Sequence, residues 1–343
     1  MRGGSVMAKI GVIGAGSWGT ALALLCYKNG HEVTIWSIMK DEVEMLRTKR
    51  QHETKLPGVI LPEEIEITND LKEGMTDKDV LVLAVPSAFT RSTARSMKAF
   101  LRPGQLIVNV AKGIEEHTML TLSEIIEEEL PEAEVAVMSG PSHAEEVGIG
   151  LPTNIVVSAH NTAAAEYLQE IFMSPVFRVY TNPDILGVEL GGSLKNVIAL
   201  AAGAADGLGY GDNTKAALIT RGIAEITRLG VAMGAKAETF NGLTGIGDLI
   251  VTCASRHSRN RKAGYLIGQG YTMDEAMKEV KMVVEGVYSA KAAMELATKY
   301  QVEMPIVEQV NKVLFENKSA KDAVAELMLR DKKVENSTLV WEA

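Results

Sequence analysis

Lys195 lies within Gly191-Gly192-Ser193-Leu194-Lys195-Asn196-Val197-Ile198-Ala199, a stretch that is otherwise small or apolar. An ammonium in such surroundings loses hydration, its pKa falls, and the neutral amine can serve as a general base. On a helix, residues three and four positions away share its face, and here they include Gly191, Gly192 and Ala199, small enough to leave one side open to a ligand. Spacing alone equally allows a lysine that snorkels to water along its own stem. A second lysine, Lys112, follows the apolar run in Asn109-Val110-Ala111-Lys112-Gly113. It stands at the carboxyl end of a predicted strand, where open α/β sheets place their ligands. A cation there polarises a carbonyl or neutralises a phosphate, although a solvated loop lysine has the same pattern.

The next predicted strand ends in Ser139-Gly140-Pro141-Ser142-His143-Ala144. It would bring backbone and hydroxyl donors to the same edge, or Ser142 would simply cap a helix. A third cluster joins Asn241-Gly242-Leu243-Thr244-Gly245-Ile246-Gly247-Asp248-Leu249 to Ser255-Arg256-His257-Ser258-Arg259-Asn260-Arg261-Lys262. Four Arg and Lys within seven residues, beside Ser and Asn donors, suit a small phosphate dianion. A solvated basic loop or an RNA patch would share that charge, but the stretch has no aromatic residue on which a base could stack. Asp248 could orient an ammonium or cap a helix.

Ile10-Gly11-Val12-Ile13-Gly14-Ala15-Gly16-Ser17-Trp18-Gly19 runs from a predicted strand through G-x-G-x-x-G into a helix over Thr20 to Asn29. Gly14 would make the tight turn, Gly16 would admit a pyrophosphate close to the backbone, and Gly19 would allow close helix packing. A glycine-rich turn without a ligand is the bland alternative. After the second strand comes Trp36-Ser37-Ile38-Met39-Lys40, with neither the acidic residue that grips the ribose of NAD nor the arginine that receives the extra phosphate of NADP. Lys40 could reach a phosphate and Ser37 could bond either cofactor, so NAD and NADP both stay open.

These residues need a scaffold, and the pattern supplies one. Short β-branched runs at Lys9 to Ile13, Glu32 to Trp36, Val80 to Val85, Leu106 to Val110 and Glu134 to Met138 alternate with helical stretches. That alternation predicts a parallel sheet with helical crossovers, extended by Asn154 to Ser158 and Phe177 to Tyr180. Gly30 reads as a helix stop, Pro57-Gly58 and Pro103-Gly104 as turns, and Thr118 precedes a helix over Ser123 to Leu130. The strand signal fades near Asp184. Beyond it, Ile185 to Ala205, Thr214 to Met233, Thr272 to Glu279, Val287 to Tyr300, Ile306 to Phe315 and Ser319 to Met328 read as helices. The expected fold class is α/β: an N-terminal Rossmann-like dinucleotide-binding domain, residues 1–190, and a mainly α-helical C-terminal domain, residues 191–343, that carries the substrate and catalytic groups. A ligand cleft is expected between them.

The 343 residues, 46% hydrophobic and 23% charged, fit an ordinary globular protein of two domains. The longest unbroken apolar runs fall short of the ~20 residues that span a bilayer, so no membrane helix is expected. Met1 to Ala8 does not read as a secretory signal, and two distant cysteines, Cys26 and Cys253, suit a reducing, cytoplasmic setting. A net charge of −9 disfavours nucleic-acid binding. The six histidines lack ligand spacing, so solvated or capping roles are expected for them and no metal site.

The chain resembles the bacterial NAD(P)-dependent glycerol-3-phosphate dehydrogenases over nearly its whole length. The resemblance rests on Gly14-Ala15-Gly16-Ser17-Trp18-Gly19-Thr20-Ala21, Ala111-Lys112-Gly113, Ser139-Gly140-Pro141-Ser142, Leu194-Lys195-Asn196, Thr244-Gly245-Ile246-Gly247-Asp248-Leu249, Ser258-Arg259-Asn260 and Val283-Val284-Glu285-Gly286, all in family order. It implies reversible reduction of dihydroxyacetone phosphate to sn-glycerol 3-phosphate, with Lys195 as the catalytic acid/base, Lys112 touching substrate and cofactor, and a homodimer. It also implies that Gly140, Ser142, Asp248, Ser258, Arg259 and Asn260 contact the substrate, while Ser17, Trp18, Ala144, Arg259, Val283 and Glu285 line the cofactor site. One departure is the lack of Arg or His just after Trp36. Two rival readings are a hydroxyacid dehydrogenase of related fold, disfavoured by the basic Ser258-Arg259-Asn260 region, and a dinucleotide-binding redox sensor without catalysis, which leaves the two lysines unexplained.

Overall fold

The computed structural model describes residues 7–335. Its strands in chain order are β1 (Lys9–Ile13), β2 (Glu32–Trp36), β3 (Gln51–His52), β4 (Leu56–Ile60), β5 (Glu66–Thr68), β6 (Val80–Leu83), β7 (Leu106–Asn109), β8 (Glu134–Ser139), β9 (Thr153–Ala159) and β10 (Phe177–Asn182). Eight of them form one sheet in the order β10-β9-β8-β7-β6-β1-β2-β5. The six from β5 to β8 follow the doubly wound dinucleotide order, with its reversal between β1 and β6. Central strands β6 and β7 are buried along their whole length, as parallel strands covered on both faces must be. Helices α1 (Ser17–Lys28), α2 (Lys40–Lys49), α3 (Leu71–Met75), α4 (Thr90–Met97), α5 (Leu122–Glu129), α6 (Ala144–Gly148) and α7 (Thr162–Phe172) belong to this α/β part.

Three local expectations are corrected. Strand β9 runs antiparallel to β8, where a continued parallel pattern was expected. The connection between them contains only the five-residue α6, too short at ~1.5 Å per residue to carry the chain back along a six-residue strand. Pro57-Gly58 is not a free turn but part of β4, which pairs with β3 in a separate two-stranded ribbon. The cap of α5 is Thr121, in a capping box with Glu124, and not Thr118.

The helical part comprises α8 (Ile185–Gly207), α9 (Asp212–Met233), α10 (Ala237–Phe240), α11 (Asp248–Ala254), α12 (Arg259–Gly268), α13 (Met273–Val280), α14 (Glu285–Lys299), α15 (Pro305–Phe315) and α16 (Ala320–Met328). Helix α8 is its stem and passes unbroken through residue 190. Its first turns, with Ile185 and Val188, pack on Val137 and Val156 of the sheet, and from Leu190 onward it joins Phe240, Leu249, Ala263 and Val287 in the helical core. By length and composition α8 could cross a bilayer, but 89% of its apolar stretch is buried inside the protein. It is a core helix, hydrophobic all round for that reason.

Glu189 pins α8 to the α/β part. Buried in the helix, its carboxylate accepts from the Ser123 amide at 2.9 Å and from the Ser123 hydroxyl, at the start of α5. Burial raises its pKa to about 7, against the lowering effect of those donors. A carboxyl of ordinary value near 4.5 when unfolded and about 7 when folded contributes stability that is full below 4.5 and lost as pH rises through 7. Glu189→Gln, which keeps a neutral hydrogen-bonding side chain, is expected to flatten the fall in urea midpoint between pH 5 and 8. Parallel curves for variant and parent would remove Glu189 from this role.

Candidate active site

The carboxyl ends of β7 and β8 and the middle of α8 converge on one buried carboxylate, Asp248, which is 1% exposed. Lys195 donates from Nζ to Asp248 Oδ1 and, at 2.8 Å, to Thr252 Oγ1. Lys112 donates to Asp248 Oδ2 at 2.6 Å and to the Gly140 carbonyl at 2.9 Å. Ser142 Oγ donates to that same carbonyl at 2.9 Å, which joins the Ser139-Gly140-Pro141-Ser142 turn to the lysine pair. Burial pushes the Lys195 pKa down; Asp248 opposes the shift and the charge of Lys112 reinforces it. The sequence-based choice between a buried and a snorkelling lysine is thereby resolved, because the Lys195 side chain is only 6% exposed. Two ammonium groups share one carboxylate, so the cluster keeps a net positive charge suited to an oxyanion.

Why these residues meet follows from local structure. A five-residue π-helical turn, Leu243–Gly247, leads directly into α11 and sets Asp248 in its first turn. Thr252, one turn later, lies on the same face and donates its hydroxyl to the Asp248 carbonyl at 2.6 Å. The small residues before Lys195 do not open a path to the ligand, as the sequence suggested. Side chains built on Gly191 and Gly192 would strike the Thr244 carbonyl and the Ser139 hydroxyl, and Ala199 is fully buried. Their smallness lets α8 approach the π-turn and β8, which is what brings Lys195 to Asp248.

The dinucleotide cradle sits at the reversal between β1 and β6. Gly14 has φ +122°, and its amide donates to the Trp36 carbonyl at 2.9 Å. A side chain on Gly19 would collide with the Gly14 carbonyl, so only glycine lets α1 start this close to the turn. Gly16 caps α1 with no side-chain bond, the first turn holds no acidic residue, and the space at its missing side chain meets no atom within 4 Å. The amides over Ser17, Trp18 and Gly19 therefore fit a pyrophosphate. Glu285 at the start of α14 accepts from the Ser87 amide at 3.2 Å and from its hydroxyl. The Glu285 pKa is raised by burial, against the lowering effect of its bonds to Ser87 and of the Arg259 charge. Val283 stands two residues before it, and Ala144 opens α6 beside the Gly140 turn. At the end of β2 the Ser37 hydroxyl donates to Glu42, and Lys40 is exposed at the start of α2.

The basic cluster divides on folding. Arg261 is committed to Asp206, at 2.6 Å, and Ser258 caps α12 by accepting from the Arg261 amide at 3.1 Å. Arg259 stays exposed. Asn260 is buried as a strut: it donates to Asn196 Oδ1 at 3.0 Å and accepts from the Gly286 amide at 2.8 Å, so it tethers the residue next to Lys195. Sequence reasoning missed Thr252, which bonds Lys195, Ser87, which bonds Glu285, and Asn196, which bonds Asn260. Only Thr252 carried a legible signal, four residues after Asp248 on a helix.

Two family models match: the N-terminal part of NAD-dependent glycerol-3-phosphate dehydrogenase over residues 9–165, and its C-terminal part over residues 184–325. The chain is 68% identical over 336 residues to the glycerol-3-phosphate dehydrogenase [NAD(P)+] of Agathobacter rectalis, covering 98% of this chain and 100% of that one. It is 66% identical over 331 residues to that of Fusobacterium nucleatum, covering 96% and 99%. Among solved structures, glycerol-3-phosphate dehydrogenase from Coxiella burnetii superposes with a TM-score of 0.91 at 38% identity, over 94% of this chain and 99% of that one. Coverage of both parts by the family models, and of nearly the full length by these relatives, leads to one conclusion: the chain belongs to the NAD-dependent glycerol-3-phosphate dehydrogenase family.

Proposed function

We propose that this protein reduces dihydroxyacetone phosphate reversibly to sn-glycerol 3-phosphate with NADH or NADPH, and that Lys195 is its catalytic acid/base. The observation that carries the reading is the Lys112–Asp248–Lys195 cluster at the carboxyl edge of a dinucleotide-binding sheet. The cofactor is held by Gly14, Gly16, Ser17, Trp18 and Gly19 at the phosphates and by Lys112, Ala144, Arg259, Val283 and Glu285 around the rest. When bound, its dihydronicotinamide supplies the hydride that reaches C2 of the ketone. Lys195 donates a proton to the oxygen at C2 as negative charge develops there, and Lys112 stabilises the same oxygen. Without such aid the alkoxide is far too basic to form at neutral pH. Asp248 orients both ammonium groups.

Gly140 and Ser142 face the substrate from the turn after β8, and Ser258, Arg259 and Asn260 serve its phosphate end, Arg259 with its guanidinium and the other two, whose side chains are committed within the protein, by forming the start of α12. Residues 1–190 form the cofactor domain and 191–343 the catalytic one, with α8 continuous across the division. The enzyme works in the cytoplasm as a homodimer, and its product supplies glycerophospholipid synthesis.

Oxidation of NADH and of NADPH, followed by absorbance, tests the reading with dihydroxyacetone phosphate and unphosphorylated dihydroxyacetone as paired substrates. Rapid turnover with the phosphorylated ketone alone is expected. Binding of cofactor without turnover would favour the redox sensor. Arg259→Ala is expected to raise KM for the phosphorylated ketone by about tenfold or more, as the loss of a charge-assisted hydrogen bond does, with a smaller effect on kcat. A loss confined to kcat would remove Arg259 from the phosphate.

A further inference from the structure

His143 and His257 are far apart in sequence, yet their rings meet at 5.7 Å between centroids, tilted by 52°. They join two segments already assigned to the substrate. His143 directly follows Ser142 in the turn after β8, and His257 directly precedes Ser258 and Arg259 in the basic loop. The Nε2 atom of His143 is buried and meets no hydrogen-bond partner among the described residues, and the side chain does not cap α6 although the residue stands at its N-cap position. Buried polar atoms are nearly always satisfied, so an unpartnered imidazole nitrogen between these two segments marks a place for a group that the protein's own side chains do not supply.

Charge says what that something is. The charges that act on His143 are Lys195 from α8, Lys112 from the segment after β7, Asp248 from α11, and His257 from the loop before α12, whose ring touches it. Two ammonium groups against one carboxylate leave a positive site. Burial first, then Lys195 and Lys112, lower the pKa of His143 to about 4. The ring is therefore neutral at pH 7, able to donate one hydrogen bond without adding a further positive charge. An arriving dianion would offset the repulsion from Lys195 and Lys112, though not the larger effect of burial.

We propose that His143, with His257 beside it, contacts the phosphate of the substrate and helps the site select phosphorylated over unphosphorylated ketones. This deepens the dehydrogenase reading and rests on it. The test uses His143→Leu, His143→Asn and His257→Leu in the full-length protein. For each leucine variant, KM for dihydroxyacetone phosphate is expected to rise about ten- to hundredfold, the range for a hydrogen bond to a charged group, with KM for NADH or NADPH within about threefold and kcat changed less than KM. His143→Asn, which restores a donor, is expected to recover part of the loss.

Side-chain ¹⁵N resonances of the histidines provide a reading free of substitution. Glycerol 3-phosphate should raise the His143 pKa from about 4, the proton coming from solvent, whereas glycerol should not. Unchanged KM in the leucine variants, or an equal response to glycerol and glycerol 3-phosphate, overturns the inference while the parent still turns over. Failure of the parent on dihydroxyacetone phosphate would instead bring down the dehydrogenase reading itself.

Discussion

Lys195→Ala is expected to lower kcat by about 10²–10⁴, the usual worth of a positioned general acid, while the dissociation constant for the cofactor changes little. The separation follows from geometry. Lys195 reaches Asp248 and Thr252, both in the helical part, whereas the amides proposed for the pyrophosphate lie at the start of α1 in the α/β part. Burial lowers the Lys195 pKa, which makes proton transfer near neutral pH easier than from an ordinary exposed lysine. Lys195→Arg is the informative companion. A guanidinium keeps the charge but holds its proton far more tightly, so it should restore little of the rate even where it restores substrate binding. Activity near the parent level in Lys195→Ala, or full rescue by arginine, would remove Lys195 from proton transfer and leave it an electrostatic role only.

Much of this site could be read in the sequence, for reasons that differ by residue. Strands β1 and β2 begin and end where the pattern put them, because a buried parallel strand is a short apolar run and the glycines after β1 have specific backbone duties. Lys112 and Lys195 stood out as cations among apolar neighbours; on folding Lys195 is buried and Lys112 partly so. The direction of β9 was not legible, since a strand's residue pattern carries no sign for parallel or antiparallel pairing; the brevity of α6 decided it. The basic run at 256–262 looked like one phosphate site because composition does not say which charges already have partners, and Asp206, which claims Arg261, lies in another helix. His143 and His257 passed for scattered histidines for the same reason. Only the closure of the helical part on the sheet edge brings them together.

Asp248→Asn carries the second large expectation, because one carboxylate there answers two ammonium groups. Its two oxygens accept separately, Oδ1 from Lys195 and Oδ2 from Lys112, and the residue is 1% exposed. Asparagine fits the space but offers one acceptor and turns an NH₂ toward the other lysine. Removing one partner from a buried ion pair typically costs 3–5 kcal/mol, and a loss of about that size is expected in urea unfolding. Turnover should fall by about 10² or more as Lys195 loses its orientation. A general weakening of the fold would look similar in both readings, so a double-mutant cycle with Lys112→Met separates the causes. If the penalty arises from two cations left to share no anion, deleting one of them should return part of it, giving a coupling of about 0.5–3 kcal/mol. Additive losses would mean that each lysine finds its own counter-charge elsewhere, and Asp248 would then be a helix residue that happens to stand between them.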